Sequence, residues 1–453
     1  MVFRYFFDEL KRNKDKLKRN KDIPDLPAMV GAQGCVIPQL HTFFNCDYES
    51  SQINCYLLAC MVLARNKNLT SDDILDKGTD VPRLDPIKLK KMKHTVTEHS
   101  GGDKNGRASD DSFLPGLNDD MTLDILAWTS WADYPSLACV NRKFKSLISS
   151  GYLYKLRRHL GVIEHWIYLA CISMPWEAFD PVRRKWMRLP ELPCDFCFSC
   201  ADKESLAVGT QLLVFGRELT GFAIWKYSLI THKWSRCPLM NLSRCLFGSS
   251  SHGEIAIVAG GSDKDGNGLK SAELYNSELG VWKNLPDMNL PRKMCSGFFM
   301  DGKFYVIGGV SGSESLTCGE EYNIETRTWR RINDMYPCPK RPLQCPPLVA
   351  VVNNQLYAAD QTTNEVKKYN KTNNTWSVVG RLPLRADSNN GWGLAFRGCG
   401  DKLLVVGGQL GCGYVVLHYW CPEDGNNGET EWKVLSVRER SGAFVCNCAV
   451  MSC

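Results

Sequence analysis

The sequence predicts an all-β ring of six four-stranded blades, a β-propeller, preceded by a small all-α module and a disordered N-terminal region. Two observations carry this prediction. Trp recurs six times at a nearly constant spacing, and in four of the six units the Trp follows an apolar run of β type that ends in two small residues. The chain of 453 residues is too long for one ordinary core, and its 44% hydrophobic and 23% charged content is that of a globular protein. Fibrous and wholly disordered classes are excluded.

The repeated positions define the units. The ladder residues are separated by 48, 48, 47, 47 and 56 positions and are Trp186, Trp234, Trp282, Trp329, Trp376 and Trp432. An aromatic residue stands seven positions before each of the first five: Phe179, Tyr227, Tyr275, Tyr322 and Tyr369. The sixth unit has Tyr419 and an insertion, PEDGNNGETE. Strands ending in small residues read IAIVAGG at 255–261, FYVIGG at 304–309, LYAA at 356–359 and LLVVGG at 403–408, and the second unit has LLVFGR at 212–217. Each unit therefore predicts strands A to D of one blade.

Each repeated residue type has a physical role in a blade. Glycine tolerates positive φ and lets a neighbouring backbone approach, whereas Tyr and Trp fill the space between blades with large apolar area. A single blade cannot bury both of its faces, so the units must close into a ring.

The two ends of the repeat region complement each other. The first unit, HWIYLACI at 165–172, lacks a preceding strand A, and SGAFVCNCAV at 441–450 looks like a strand A without a blade. We therefore expect a propeller over 165–453 that the C-terminal strand 441–450 closes by completing the first blade.

These units resemble the kelch repeat, which has a period of about 50 residues and the order Gly-Gly, Tyr, Trp. A WD-type propeller fits less well, because none of the ladder Trp residues is followed by Asp. The resemblance implies a six-bladed kelch β-propeller.

Residues 111–155 place apolar side chains at helical spacing and predict a small helical module. The stretch LPGLNDDMTLDILAWTSWADYPSLACVNRKFKSLI at 114–148 resembles an F-box, although Trp128 and Trp131 stand where family members more often have Leu, Ile or Arg. An F-box presents apolar residues to a Skp-type adaptor. The predicted adaptor-binding residues are Leu114, Pro115, Leu117, Ile125, Leu126, Leu137 and Val140. The alternative for each of them is a place in the core of the module itself.

A cation follows each ladder Trp after the first, shortly before the next strand A. These residues are Arg244, Arg292, Arg341, Arg385 and Arg440, at 8 to 12 positions after the Trp. If the blades are equivalent, the arginines surround one mouth of the central channel, and in similar kelch adaptors arginines at this place contact acidic substrate motifs. A planar guanidinium binds carboxylate or phosphate bidentately, so we predict substrate-binding residues. The alternative is a solvated loop cation or a local ion pair.

Taken from residue 111 to 453, the order of segments resembles the plant Skp-interacting F-box/kelch-repeat proteins. The resemblance implies a non-catalytic substrate-recognition subunit of an SCF-type, cullin–RING E3 ubiquitin ligase, which binds a Skp-type adaptor, through it a cullin, and an unknown protein substrate. Two alternatives remain: an interaction scaffold that acts without ubiquitin transfer, and a propeller enzyme. The enzyme is disfavoured because the ring's histidines, His165, His232, His252 and His418, lie in separate units.

Three patterns come close to cofactor motifs. Asp263, Asp265, Asn267 and Gly268 match half of a calcium loop, but Leu274 stands where the final Glu is required. Cys194, Cys197 and Cys200 have metal-like spacing, and Cys446 and Cys448 lie in the closing strand, yet no nearby fourth ligand is evident. The Gly-Gly pairs end strands that no helix follows, so they are no phosphate-binding loops. We expect no cofactor and no metal.

Residues 1–110 read as a largely disordered basic tail and linker. The net charge of +6 arises mainly here, since residues 1–21 carry eight Lys or Arg and three Asp or Glu, so the charge is poor support for nucleic-acid binding. The longest apolar run, Tyr56–Ala64, is too short to span a membrane, and no signal-peptide pattern opens the chain. We expect no nucleic-acid or membrane partner, mostly reduced Cys, and a location inside the cell, in the nucleus, the cytoplasm or both. Two basic clusters, Lys11–Lys21 and Lys88–Lys93, are either nuclear-import signals or solvated charge.

Overall fold

The computed structural model describes residues 113, 119–171, 175–200, 203–337, 345–385, 392–408, 413–422, 431–439 and 445–453. The predicted N-terminal tail and linker, 1–110, lies outside this range. All described residues belong to one compact unit, Lys67–Cys453. Its described helices are α1 (Asp119–Trp128), a 3-10 turn (Trp131–Asp133), α2 (Tyr134–Leu137), α3 (Arg142–Ser149), α4 (Tyr152–His159) and α5 (Phe196–Cys200).

Six antiparallel four-stranded sheets form the blades, which confirms the six-bladed all-β propeller. The strands of blades one to three are β1 (His165–Cys171), β2 (Glu177–Asp180) and β3 (Lys185–Arg188); β4 (Glu204–Val208), β5 (Gln211–Glu218), β6 (Gly221–Ser228) and β7 (Lys233–Arg236); β8 (Gly248–His252), β9 (Ile255–Ala259), β10 (Ala272–Asn276) and β11 (Val281–Leu285).

Blade four contains a small extra hairpin at the turn between its second and third main strands. The strands of blades four to six and the last strand are β12 (Ser296–Met300), β13 (Lys303–Ile307), the hairpin β14 (Val310–Ser311) and β15 (Glu314–Ser315), β16 (Gly319–Asn323) and β17 (Thr328–Ile332); β18 (Leu348–Val352), β19 (Gln355–Asp360), β20 (Glu365–Asn370) and β21 (Thr375–Arg381); β22 (Leu394–Cys399), β23 (Lys402–Gly408), β24 (Tyr414–Trp420) and β25 (Lys433–Glu439); and β26 (Val445–Ser452).

The ring is closed by the C-terminal strand. β26 pairs with β1 from His165 opposite Ser452 to Cys171 opposite Val445, and so supplies the inner strand that blade one lacks. The inner strands are neighbours in the cyclic order β26, β4, β8, β12, β18, β22 and back to β26. No blade is left with an open face, and each buries its apolar residues against the next.

The Trp ladder exists because each ring nitrogen bonds to the blade before it. Trp234, Trp282 and Trp329 donate from Nε1 to the carbonyl oxygens of Pro190, Pro238 and Pro286 at 2.8 to 3.0 Å. Trp376 and Trp432 make the same bond to Met335 and Arg381, and Trp186 closes the circle on Ser436 Oγ at 3.0 Å. One bond per blade explains the nearly constant period.

The Gly-Gly pairs let the loop that enters the next blade pack against the end of the second strand. Gly260 and Gly261 have φ values of 68° and 95°. A Cβ on Gly260 would lie 2.5 Å from the carbonyl oxygen of Arg292, so a side chain there would displace that loop.

The helical module packs against blades one and two as part of one core. Trp131 is 2% exposed, and its ring centroid lies 4.0 Å from that of Trp166 in β1. The buried Arg157 of α4 donates to the carbonyl oxygens of Ala127 and Thr129 at the end of α1, where a cation is favoured. Apolar packing joins the module to the ring, and so does the ion pair between Asp133 and Arg183 of the turn between β2 and β3, at 2.8 Å.

Candidate protein-interaction surfaces

The antiparallel order of the strands gives the ring two distinct ends. Turns between first and second strands, and between third and fourth strands, lie at one end, which we call the module end. The opposite end, the open end, carries the turns between second and third strands and the loops that connect blades. Arg158 of α4 pairs with Glu254 in a first turn, and Lys155 lies 2.7 Å from Glu278 in a third turn, so the module sits at the module end.

At the module end, α1 exposes an apolar stripe. Met121 is 56% exposed and Trp128 is 55% exposed, and the partly exposed Ile125 lies between them. Spacings of four and three residues put the three side chains on one helical face. The opposite face of α1, with Leu123 and Leu126, is buried. An exposed stripe of this kind is typical of a helix that finishes its burial on a partner.

The predicted adaptor-binding residues divide between surface and core. Ile125 is on the stripe, whereas Leu126 at 4% and Leu137 at 6% exposure are buried in the core that the module shares with the ring. Val140 is partly buried against the same core. Leu126 and Leu137 therefore match the alternative that the sequence left open, a place in the core. Leu114, Pro115 and Leu117 lie outside the described residues.

The sequence prediction missed Met121 and Trp128 as surface residues. Their helical spacing around Ile125 was a signal that could have found them, since both share its face rather than that of Leu126. Trp131, which also departs from the F-box pattern, is explained by a different contact, because it anchors the module on Trp166.

Arg244 and Arg292, predicted as substrate contacts, lie at the open end but are 1% and 0% exposed. Arg244 Nη2 donates to Glu273 Oε1 at 2.7 Å, and Arg292 Nη2 donates to Glu320 Oε1 at 2.8 Å. This arrangement corresponds to the local ion pair that the sequence left open. A fully buried and paired guanidinium cannot reach a ligand without breaking its ion pair, so these two side chains do not line an open mouth.

Both arginines organise the loop between blades in the same way. Arg244 Nη1 donates to the carbonyl oxygens of Gly260 and Ser271, and Arg292 Nη1 to those of Gly308 and Cys318. The Glu partners accept backbone N–H bonds from the same loops: Glu273 from Asn241 and Leu242, and Glu320 from Asn289 and Leu290. Burial lowers the pKa of Arg244, and the Glu273 charge opposes that shift.

The other three predicted arginines are not described as buried ion pairs. Arg385 is exposed at the open end and remains available to a ligand. Arg341 and Arg440 lie outside the described residues. The burial of two arginines at equivalent positions shows that the repeat uses this position structurally in blades three and four.

The calcium-like loop uses its acid internally. Asp263 Oδ1 accepts from the backbone N–H groups of Asp265 and Asn267 at 2.9 and 2.8 Å, and these bonds hold the pKa of Asp263 below its ordinary value. Cys194 lies just before α5, and Cys197 lies within it; both are free thiols. Among the described residues, no group of three or more His, Cys, Asp or Glu side chains is arranged to hold a metal ion. No described helix is long and apolar enough to cross a membrane.

The fold and its repeated Gly, Tyr and Trp residues define a kelch-type propeller that carries a small helical module. The family model for the Kelch motif matches residues 243–289 and 291–336, which include blade three and blade four. The chain is 54% identical over 369 residues to the F-box/kelch-repeat protein SKIP11 of Arabidopsis thaliana, covering 78% of each protein. A second F-box/kelch-repeat protein of that plant is 50% identical over 382 residues, 81% of this chain and 90% of the relative. The chain belongs to the F-box/kelch-repeat proteins.

Proposed function

We propose that this protein is the substrate-recognition subunit of an SCF-type, cullin–RING E3 ubiquitin ligase. The helical module binds a Skp-type adaptor, which links the chain to a cullin, and the propeller binds a protein substrate. The chain contributes proximity and performs no covalent step itself. It needs no cofactor, nucleic acid or membrane, and it acts in the nucleus, the cytoplasm or both.

The observation that carries this proposal is the exposed stripe of Met121, Ile125 and Trp128 on a helix whose other face is fixed to the propeller. A partner that buries the stripe is held in a defined orientation to the ring. Leu114, Pro115 and Leu117, which directly precede α1, are proposed to extend the same contact. The names of the relatives, which include the term F-box, support the choice of a Skp-type adaptor.

The test is co-purification of the full chain with a Skp-type adaptor and cullin from plant extract, followed by binding to the purified adaptor. We expect M121D/W128D to lose at least about tenfold in adaptor affinity, because two central apolar contacts are replaced by charge. The control is V378D, since Val378 is 56% exposed on the outer strand of blade five, far from α1 in the fold.

Two results would count against the proposal. Equal adaptor affinity of M121D/W128D and V378D would move the contact elsewhere. Failure of the wild-type chain to bind any Skp-type adaptor, while it still binds other proteins, would favour the interaction scaffold that acts without ubiquitin transfer.

A further inference from the structure

Blade two departs from blades three and four at both positions of the buried ion pair. Ten residues after its preceding ladder Trp it has Phe196 instead of Arg, and two residues before its Tyr it has Trp225 instead of Glu. Trp225 is buried, donates to Glu218 at 3.0 Å and is covered by the Arg236 guanidinium at 4.2 Å. Phe196, in contrast, is 80% exposed. Blade two therefore lacks the Arg and Glu that blades three and four have at these spacings, and it exposes an aromatic side chain on the same connecting loop.

Asp195, the residue before Phe196, links α5 to the neighbouring hairpin. Asp195 Oδ1 accepts from the N–H of Phe198 at 2.8 Å, and Asp195 Oδ2 accepts from the N–H of Leu219 at 2.7 Å. Leu219, at the tip of the hairpin formed by β5 and β6, is 84% exposed. One carboxylate therefore joins the start of α5, which carries Phe196, to the hairpin tip, which carries Leu219.

A second contact holds α5 against the hairpin. Phe198 is 0% exposed and packs over Gly216, where a Cβ would lie 2.6 Å from the Phe198 ring. The glycine at this position therefore allows α5 to lie on the hairpin. Preorganised apolar residues bind with a smaller loss of conformational entropy than mobile ones.

The next loop extends the apolar surface. Leu239 is 53% exposed and Leu242 is 41% exposed, and Phe222 is partly exposed beside Leu239. We call Phe196, Leu219, Phe222, Leu239 and Leu242 the blade-two patch. The corresponding hairpin of blade three, in contrast, presents Asp263, Lys264 and Asp265. The apolar character is thus a local feature of the open end.

A cation, Arg217, borders the patch. Arg217 is exposed on the same hairpin as Leu219, and within the described part of the chain it forms no ion pair. The neighbouring Arg236 is already bound to Glu218. Arg217 is therefore free to bind a carboxylate that reaches the patch.

We propose that the blade-two patch binds a segment of the substrate protein in which a large apolar side chain stands within a few residues of Asp or Glu. Phe196 and Leu219 contact the apolar side chain, and Arg217 binds the carboxylate. That the bound protein is a substrate rests on the proposed function; the binding itself does not.

The test begins with a phage-displayed library of random dodecapeptides selected on the purified full chain. We expect enriched peptides to combine Phe, Leu, Ile, Met or Trp with a nearby acid. Synthetic fluorescent copies should bind F196D/L219D at least about tenfold more weakly than wild type and V378D equally well. R217A should weaken binding of the acidic peptide, and replacing the peptide's Asp or Glu by its amide should abolish that difference.

Two further measurements show whether a variant is still folded and where the peptide lies on the chain. Thermal unfolding of each variant, with F196S as a milder second substitution, separates lost binding from lost folding. A photo-crosslinking side chain at position 219 should join the chain to the peptide, and one at position 378 should not. Crosslinking of position 219 to residues 1–112 of the same chain would assign the patch to an internal segment and overturn the proposal.

Peptides without an apolar residue, or peptides that bind F196D/L219D as tightly as wild type, would also overturn it. Adaptor binding is measured on the same preparations. If the peptides bind but the adaptor does not, the proposed ligase function is rejected and the proposed peptide site is retained. If the adaptor binds but the peptides do not, only the proposed peptide site is rejected.

Discussion

At the scale of single residues, the ion pairs of blades three and four are expected to stabilise the ring rather than bind ligand. We predict that R292M lowers the free energy of unfolding by about 3–5 kcal/mol, because it leaves the buried Glu320 carboxylate and two carbonyl oxygens without their cation. Urea unfolding followed by Trp fluorescence measures the change.

The matched control is R330M. Arg330 also pairs with a Glu of blade four, at 2.7 Å from Glu321, but its side chain is 67% exposed. Glu321 is itself buried, but Lys303 still lies 3.2 Å from it after the substitution, and an exposed guanidinium contributes about 1 kcal/mol or less, so we expect a smaller effect than that of R292M. Equal destabilisation by the two substitutions would show that burial of the pair is not what makes Arg292 important.

Glu321 makes the folding stability of the ring depend on pH. Its hydrogen bond with Arg330, and those with Lys303 and Tyr305, lower its pKa to about 2. A lowered pKa in the folded state stabilises the protein above the unfolded pKa, and this contribution is lost as pH falls from about 4.5 towards 2. We predict that E321Q is less stable than wild type at pH 7 and that the difference narrows between pH 4.5 and 2.5, measured by thermal unfolding. A difference that stays constant over this range would contradict the prediction.

Residue spacing predicted the Trp ladder correctly but left the role of the arginines open, and the reason is physical. Each ladder Trp makes the same kind of bond to the preceding blade, so its period follows directly from the fold. An arginine ten residues later can point into solvent or inwards at the same spacing. The Glu two residues before Tyr275 and Tyr322 was the missing signal, because it is present in the units where the arginine is buried.

At the scale of elements, two Trp residues three positions apart are expected to have separate roles. We predict that W131A loosens the module, because it removes a buried ring from the contact with Trp166, a type of change that costs about 3–5 kcal/mol. Hydrogen exchange should increase in α1 to α4 while the strands of blades three to five stay protected.

W128A serves as the comparison. Trp128 is 55% exposed, so its removal should leave exchange nearly unchanged and weaken adaptor binding. If W128A loosened the module as much as W131A, the division between a surface Trp and an anchoring Trp would be wrong. The helical module was predictable from apolar spacing, whereas the face used against the propeller was not, because Leu126 and Ile125 look equally apolar in sequence.

At the scale of the whole molecule, closure depends on a strand that is far from its blade in sequence. The four strands of blade five are consecutive, whereas β26 and β1 are separated by about 270 residues of chain. In the unfolded chain, bringing β26 to β1 means closing this long loop, which costs about 4 kcal/mol more in entropy than closing a two-residue turn. Unlike β18 and β19, the two strands have no short turn that keeps them together once a substitution weakens their pairing.

Two alanines allow this difference to be measured. Ala449 in β26 pairs with Tyr168 and is 5% exposed, and Ala350 in β18 pairs with Tyr357 and is 4% exposed. Proline at either site disturbs the hydrogen bonding between the paired strands. We predict that A449P lowers the free energy of unfolding more than A350P does, and that in A449P the segment 445–453 is the first that protease removes. Urea unfolding and timed proteolysis with mass spectrometry test this. Equal destabilisation, with cleavage elsewhere, would mean that packing between neighbouring blades holds the ring closed without the last strand.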